Sequence, residues 1–366
     1  MKIFTACTII SVAFLVAWIR HRIHEWEAWV QGLEGGLLQD PVQEGIDVNT
    51  KTFDQLPAVV QNYFRKVLPE NARVIHSVRI HQEGHFYFGS SWVPFEARQT
   101  IRAVSPPGFV WDATISMTDK FQQKDLQKSL LPTMQVCDAW VDGGKQAYLR
   151  AALVNVFDSI YAKSTINEED DDSWDEDRLL WVGEAMRWLA EAVIVPTALL
   201  PEQGMVEWSA MDDHRALVSL KDPRYSHLHL QNRHVADVKL EVDFDPSTGY
   251  INRVAGLRPY EREVLDEKDD LFPLFTRKRT SWEMRRWEGR LANYKKDEST
   301  GIVVPRYMEA GWMSDEGQHL EMYFMGNNVI LDFELMARSN PVYASRSKPI
   351  AEAVVPETPD GGAAMA

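Results

Sequence analysis

Apolar and polar residues alternate with a period of two through much of the first third of the chain. Across 74–88 the even positions Val74, Val78, Ile80, Phe86 and Phe88 are apolar, while Arg79, His81, Glu83 and His85 fall between them. Phe95, Ala97, Ile101 and Ala103 alternate in the same way with Glu96, Arg98, Thr100 and Arg102, and Phe109, Trp111, Ala113, Ile115 and Met117 continue the pattern. Successive side chains of a strand point to opposite faces, so each run predicts a strand with one covered face. Pro106-Pro107-Gly108 and Asp142-Gly143-Gly144 are turn signals between strands, the second that of a hairpin. Strand patterns return at 206–211 and 216–220, at Val238, Leu240, Val242 and Phe244, and then at 282–294, 302–312, 320–324 and 329–335.

Two helical patterns interrupt the strands. Leu56, Val59, Val60, Tyr63, Phe64 and Val67 recur at helical spacing until Pro69 stops them. The stretch 178–201 is apolar nearly all round before Pro196 and Pro201 break it, and Glu184, Arg187 and Glu191 are the only charges between Leu179 and Val195. Their i, i+3 and i+7 spacing stacks them on one stripe. A helix apolar on its other sides is buried or covers a cavity, so this stripe faces either a strip of solvent or the cavity. The fold expected is mainly β (α+β): a large curved antiparallel sheet, a half-barrel, wrapped around a central apolar helix as a single domain over 53–337. Residues 163–177 form an inserted acidic loop, because eight acids in the ten positions 168–177 repel too strongly to pack. A calcium loop would need a central glycine that this segment lacks.

Ahead of the domain, the uncharged run 3–19 sits between Lys2 and Arg20-His21-Arg22, near the ~17-residue minimum for a spanning helix. It predicts a single-pass membrane anchor over 1–23, left uncleaved because Leu15 and Ala17 make a poor cleavage signal. Trp26, Trp29, Val30, Leu33 and Leu37 then predict a juxtamembrane helix within a connecting segment, 24–52, that Gly35-Gly36 and Pro41 loosen. The tail 338–366, rich in Ser, Pro, Ala and Gly, is expected to be disordered.

The chain has 366 residues, 45% of them apolar, enough for a substantial core, and a formal charge of -15. That charge and the lack of a basic stripe argue against nucleic-acid binding. The two cysteines, Cys7 and Cys137, support neither a disulfide framework nor a cysteine metal site. His227 and His229 share a strand face near His234, and His81 and His85 share another, but polar-face histidines are by default exposed, so no metal is expected. Neither a nucleophile elbow, a phosphate loop nor a dinucleotide fingerprint occurs, and no cofactor is expected.

Several stretches resemble a family of bacterial proteins, many of them membrane-anchored, known only as a domain of unknown function: LPAVVQNYFRKVLP (56–69), WVPFEARQ (92–99), PPGFVWDA (106–113), DAWVDG (138–143), RWLAEAVIVPTALLP (187–201), WEGRLANY (287–294) and VPRYMEAGW (304–312). The resemblance runs with gaps from about Leu56 to Leu335, and the chain departs from it in the acidic insertion and at Arg285-Arg286. It implies a half-barrel similar to the lipoprotein-carrier and lipid-binding proteins of bacterial envelopes, and it implies no reaction.

The leading expectation is a membrane-tethered binding module for an apolar or amphipathic, lipid-like ligand. Glu184, Arg187 and Glu191 are its candidate polar contacts, and Trp111, Trp188 and Trp287 its candidate walls. Arg290 joins them through the motif Trp287-Glu288-Gly289-Arg290, where Glu288 and Arg290 share a face as an ion pair and a bulge near Gly289 would reconcile the parity of Trp287 with that of Trp282. An enzyme using Glu191 as acid or base in the same cavity, and a scaffold without a pocket, are the alternatives. For the charged stripe, the plain reading is an exposed salt-bridge ladder.

Overall fold

The computed structural model describes residues 2–39, 47–88, 91–117, 133–141, 146–153, 157–165, 176–221, 238–264 and 279–336. Helix α1 spans Lys2–Leu38 and α2 spans Ala58–Val67. Strands β1 (Ile75–Phe88), β2 (Ser91–Arg102), β3 (Gly108–Ser116), β4 (Thr133–Val141), β5 (Gln146–Leu153) and β6 (Phe157–Thr165) follow, then α3 (Glu176–Glu191). After short 3-10 turns come β7 (Val206–Ala210), β8 (Arg215–Leu220), β9 (Lys239–Phe244), β10 (Ile251–Val264), β11 (Arg279–Lys296), β12 (Val303–Met313) and β13 (Leu320–Leu335).

All thirteen strands belong to one open, curved antiparallel sheet in the order β6-β5-β4-β3-β2-β1-β13-β12-β11-β10-β9-β8-β7. The chain therefore starts at the middle of the sheet, meanders to one edge, and must cross to the opposite edge before it can meander back and pair β13 with β1. Helix α3 is that crossing. It touches β4, β5 and β6 on one side and β9, β10 and β11 on the other, so the connectivity itself lays it across one face of the sheet.

The α3 face carries the main core, to which α2 adds Val60, Tyr63, Phe64 and Val67. As α-helix, α3 stops at Glu191, well short of the run expected to 201. The ring of Pro196 crowds the carbonyl four residues back, and Val195 before it is forced out of helical geometry, at φ -122° and ψ 66°. On the opposite face lies the second half of α1, where Trp26, Val30 and Leu37 pack on Val110, Cys137, Ala139 and Val141. Trp26 Nε1 donates to Asp112 Oδ1 at 2.9 Å, and Arg150 stacks over the rings of Trp26 and Trp29.

This docking corrects the expectation of a juxtamembrane helix over 24–52, and the anchor expected over 1–23 is contradicted as well. Among the described residues, no helix is long and apolar enough to cross a membrane. The N-terminal helix has the length, but it runs on through Arg20, Arg22, Glu25 and Glu27 without a break at 23, and its Trp26 face is covered by the sheet rather than by lipid.

Covering both faces also explains why alternation did not reveal β4. In β4, Cys137, Ala139 and Val141 face α1 while Trp140 faces α3, so the sequence reads as a nearly continuous apolar run. Two later hairpins share one turn chemistry. Asp245 Oδ1 accepts from the backbone of Ser247 and Thr248 before Gly249 at φ 72°, and Asp297 Oδ1 does the same for Ser299 and Thr300 before Gly301 at φ 76°. The 142–144 turn, the 168–175 acids, His227, His229, His234 and the 338–366 tail lie outside the described residues.

Candidate functional site

Between α3 and the sheet lies a cavity of about 410 Å³. The pattern of α3 dictates what faces it. Trp181 and Trp188 turn into the core against Trp140, with ring centroids 5.8 and 6.1 Å away, and this fixes the helix about its axis. Glu184, Arg187 and Glu191 then look into the cavity together with Leu180 and Gly183. Across from them, β11 contributes Trp287 and Leu291, β12 contributes Trp312, β13 contributes Tyr323 and Phe324, and β3 contributes Trp111.

The charged stripe is not an exposed ladder. Arg187 Nε donates to Glu191 Oε1 at 2.9 Å, and its Nη1 donates to Asp138 of β4. The guanidinium lies over the rings of Phe109 and Trp111, at 4.8 and 5.0 Å. Burial alone would lower its proton affinity, but the charges of Glu191, Asp138 and Glu184 outweigh that and hold it above its ordinary value. Glu191 Oε2 accepts from Gln99 Nε2, so both oxygens of Glu191 are engaged.

Glu184 differs. It is buried, and desolvation, followed by the nearby Asp138 charge, pushes its carboxyl well above the usual range, while Arg258 and Arg187 pull the other way. A hydrogen bond with Asp138 favours the protonated form further. Glu184 Oε2 and Asp138 Oδ1 find no other partner among the described residues. A carboxyl whose proton affinity is raised, set beside a second carboxyl inside a cavity, is placed to hold and return a proton.

Two residues expected at the site stand elsewhere. Trp188 is 0% exposed, and its Nε1 donates to the carbonyl of Arg102 at 3.0 Å, so it is a core residue behind the cavity. Arg290 points away by strand parity: Trp287, Gly289 and Leu291 line the cavity, whereas Glu288 and Arg290 emerge on the other face. There Arg290 Nε meets Glu288 Oε1 at 3.2 Å, and Arg253 Nε meets Glu288 Oε2 at 2.7 Å. No bulge is needed, since β11 pairs with both neighbours through Gly289 without a register shift. His81 Nε2 stands 3.2 Å from Glu83 and 3.6 Å from Glu96, and among the described residues no group of three or more His, Cys, Asp or Glu is placed to hold a metal.

Sequence reasoning missed Asp138, Gln99 and Arg258. Arg258 of β10 lines the cavity with its Nη2 4.0 Å from Glu184 Oε1, flanked by Trp287 and Trp312. One signal pointed to it: Val254, Gly256, Arg258 and Tyr260 share strand parity, which puts an arginine on a face otherwise turned to the core.

Residues 54–230 match a family of unknown function, DUF6920. No curated protein matches the chain. Among solved structures, the chain is similar to the crystal structure of a LolA superfamily protein from Nitrosomonas europaea, at 8% identity and a TM-score of 0.30, over 76% of this chain and 92% of that one.

Proposed function

We propose that this chain is a binding module whose cavity holds an apolar or amphipathic, lipid-like small molecule. The observation that carries the reading is the cavity itself. Its volume lies within the ~300–1,000 Å³ of small-molecule sites, its walls are mostly aromatic and aliphatic, and its charged groups are Glu184, Arg187 and Glu191 of α3, Asp138 of β4, Arg258 of β10 and Glu309 of β12.

Native mass spectrometry of the full chain should show added mass that organic extraction removes. Resupplying a bound amphiphile at about 100 times its Kd should then stabilise the extracted protein by roughly 2.7 kcal/mol. No added mass, together with an unmoved melting temperature across a panel of single-chain amphiphiles, would remove the binding reading.

A second reading, catalysis, is favoured by the Glu184–Asp138 pair rather than by Glu191, whose oxygens are both engaged. The two readings separate on the fate of the bound molecule. A binding module returns it with its mass unchanged after prolonged incubation, and an enzyme does not.

A further inference from the structure

The polar groups of the cavity are unevenly satisfied. Arg187 is held between two carboxylates, but Arg258 is not. Its side chain is 13% exposed, its guanidinium carbon lies 5.6 and 5.8 Å from the ring centroids of Trp287 and Trp312, and its Nε is buried without a hydrogen-bond partner among the described residues. Among the described residues, the one carboxylate it approaches is Glu184, 4.0 Å away and beyond hydrogen-bonding distance. Buried donors in folded proteins are nearly always paired, so an orphaned guanidinium N–H in a cavity marks a place that something else completes.

Gly183 adds an independent observation. Glycine is the least favourable residue for a helix interior apart from proline, yet it stands in the middle of α3. Packing does not require it: a Cβ there would lie 3.7 Å from Arg258 Nε and 3.8 Å from Nη2, in ordinary contact with no clash. What the missing Cβ does is leave the Nε–Nη2 edge of the guanidinium uncovered beside the cavity that both residues line. That edge carries two parallel N–H groups, the fork that grips a carboxylate or a phosphate bidentately. Burial raises the proton affinity of Glu184, which weakens the charge it would set against such a head group.

We infer that the cavity takes a single-chain amphiphile with an anionic head, carboxylate or phosphate, and that Arg258 grips the head through the edge that Gly183 leaves open. The inference rests on the reading that the cavity binds a lipid-like molecule. The tail lies along Trp287, Leu291, Met308 and Phe324.

The test is displacement of the uncharged fluorophore N-phenyl-1-naphthylamine from the full chain by dodecanoate, dodecyl phosphate and dodecanol. The acid or the phosphate should displace it at concentrations about 10- to 100-fold lower than the alcohol, as a charge-assisted pair predicts. Their order identifies which head the site prefers. This anion-to-alcohol ratio should fall toward one in Arg258→Met and in Gly183→Ala, and should persist in Arg290→Ala, on the other face. Gly183→Ala keeps every charge and favours the helix, so it decides the matter if Arg258→Met does not fold. Equal displacement by all three compounds in the parent, or a ratio that survives these two changes, would overturn the head-group assignment and leave the binding reading standing. A fluorophore that never binds, with no effect of any amphiphile on melting, would overturn both.

Discussion

Glu184 and Glu191 stand two turns apart on one helical stripe and meet different environments. Glu191 has a donor on each oxygen, while Glu184 is buried against another carboxyl with an arginine too far away to hydrogen-bond. Burial first, then Asp138, raise the Glu184 carboxyl above the ordinary 4.5, so the folded chain holds its proton more tightly than the unfolded chain does. The stability this contributes is complete below 4.5 and is lost as pH rises toward the raised folded value. Glu184→Gln keeps a donor toward Asp138 and removes the titration. The variant should therefore lose less stability than the parent as pH rises above 4.5, read as the difference in melting temperature. Parallel profiles would show that Glu184 is ionised in the fold. The stripe was legible because helical spacing fixes which residues share a side. Asp138 and Arg258 were not, because strands far apart in sequence bring them to the helix, and no local pattern encodes that convergence.

At the scale of elements, α1 shows why a correct pattern can lead to a wrong environment. Trp26, Val30, Leu33 and Leu37 fall on one helical face, and both a membrane interface and the back of a sheet call for the same apolar residues there. Only the partner distinguishes them, and the partner is a set of strands more than seventy residues away. β4 is the counterpart. Covered by α1 on one face and α3 on the other, it shows no alternation and could not be read as a strand from period two alone. Trp26 joins the two layers, edge-on to Trp29 and hydrogen-bonded to Asp112. Trp26→Ala should cost roughly 3–5 kcal/mol, seen as a lower melting temperature of the whole chain. A melting temperature within a degree or so of the parent would mean that α1 contributes no stability to the sheet.

At the scale of the whole molecule, the order of strands makes a strong demand. Residues 54–230, the part that matches the family, contain α2, β1 to β6, α3 and the β7–β8 pair. In the sheet, β7 and β8 lie at the far edge, separated from β1 by β9 to β13. Excised alone, the segment would leave β1 with an open edge along its fourteen residues and β7–β8 as an isolated hairpin, which is marginal in water at best. Its α3 would lose β9, β10 and β11, and with them Arg258 and Trp287, half of the cavity wall. The folding unit should therefore extend to the end of β13 at Leu335, and the 54–230 fragment should lack a cooperative thermal transition and near-ultraviolet circular dichroism of fixed aromatic packing. Supplying residues 231–336 as a second chain should restore both, because β1 then regains β13 and the crossing helix regains its second wall. A sharp melt and a native-like aromatic spectrum from 54–230 by itself would refute the single-unit reading. The site would then have to be sought within the first half of the sheet, around Trp111, Asp138 and Arg187.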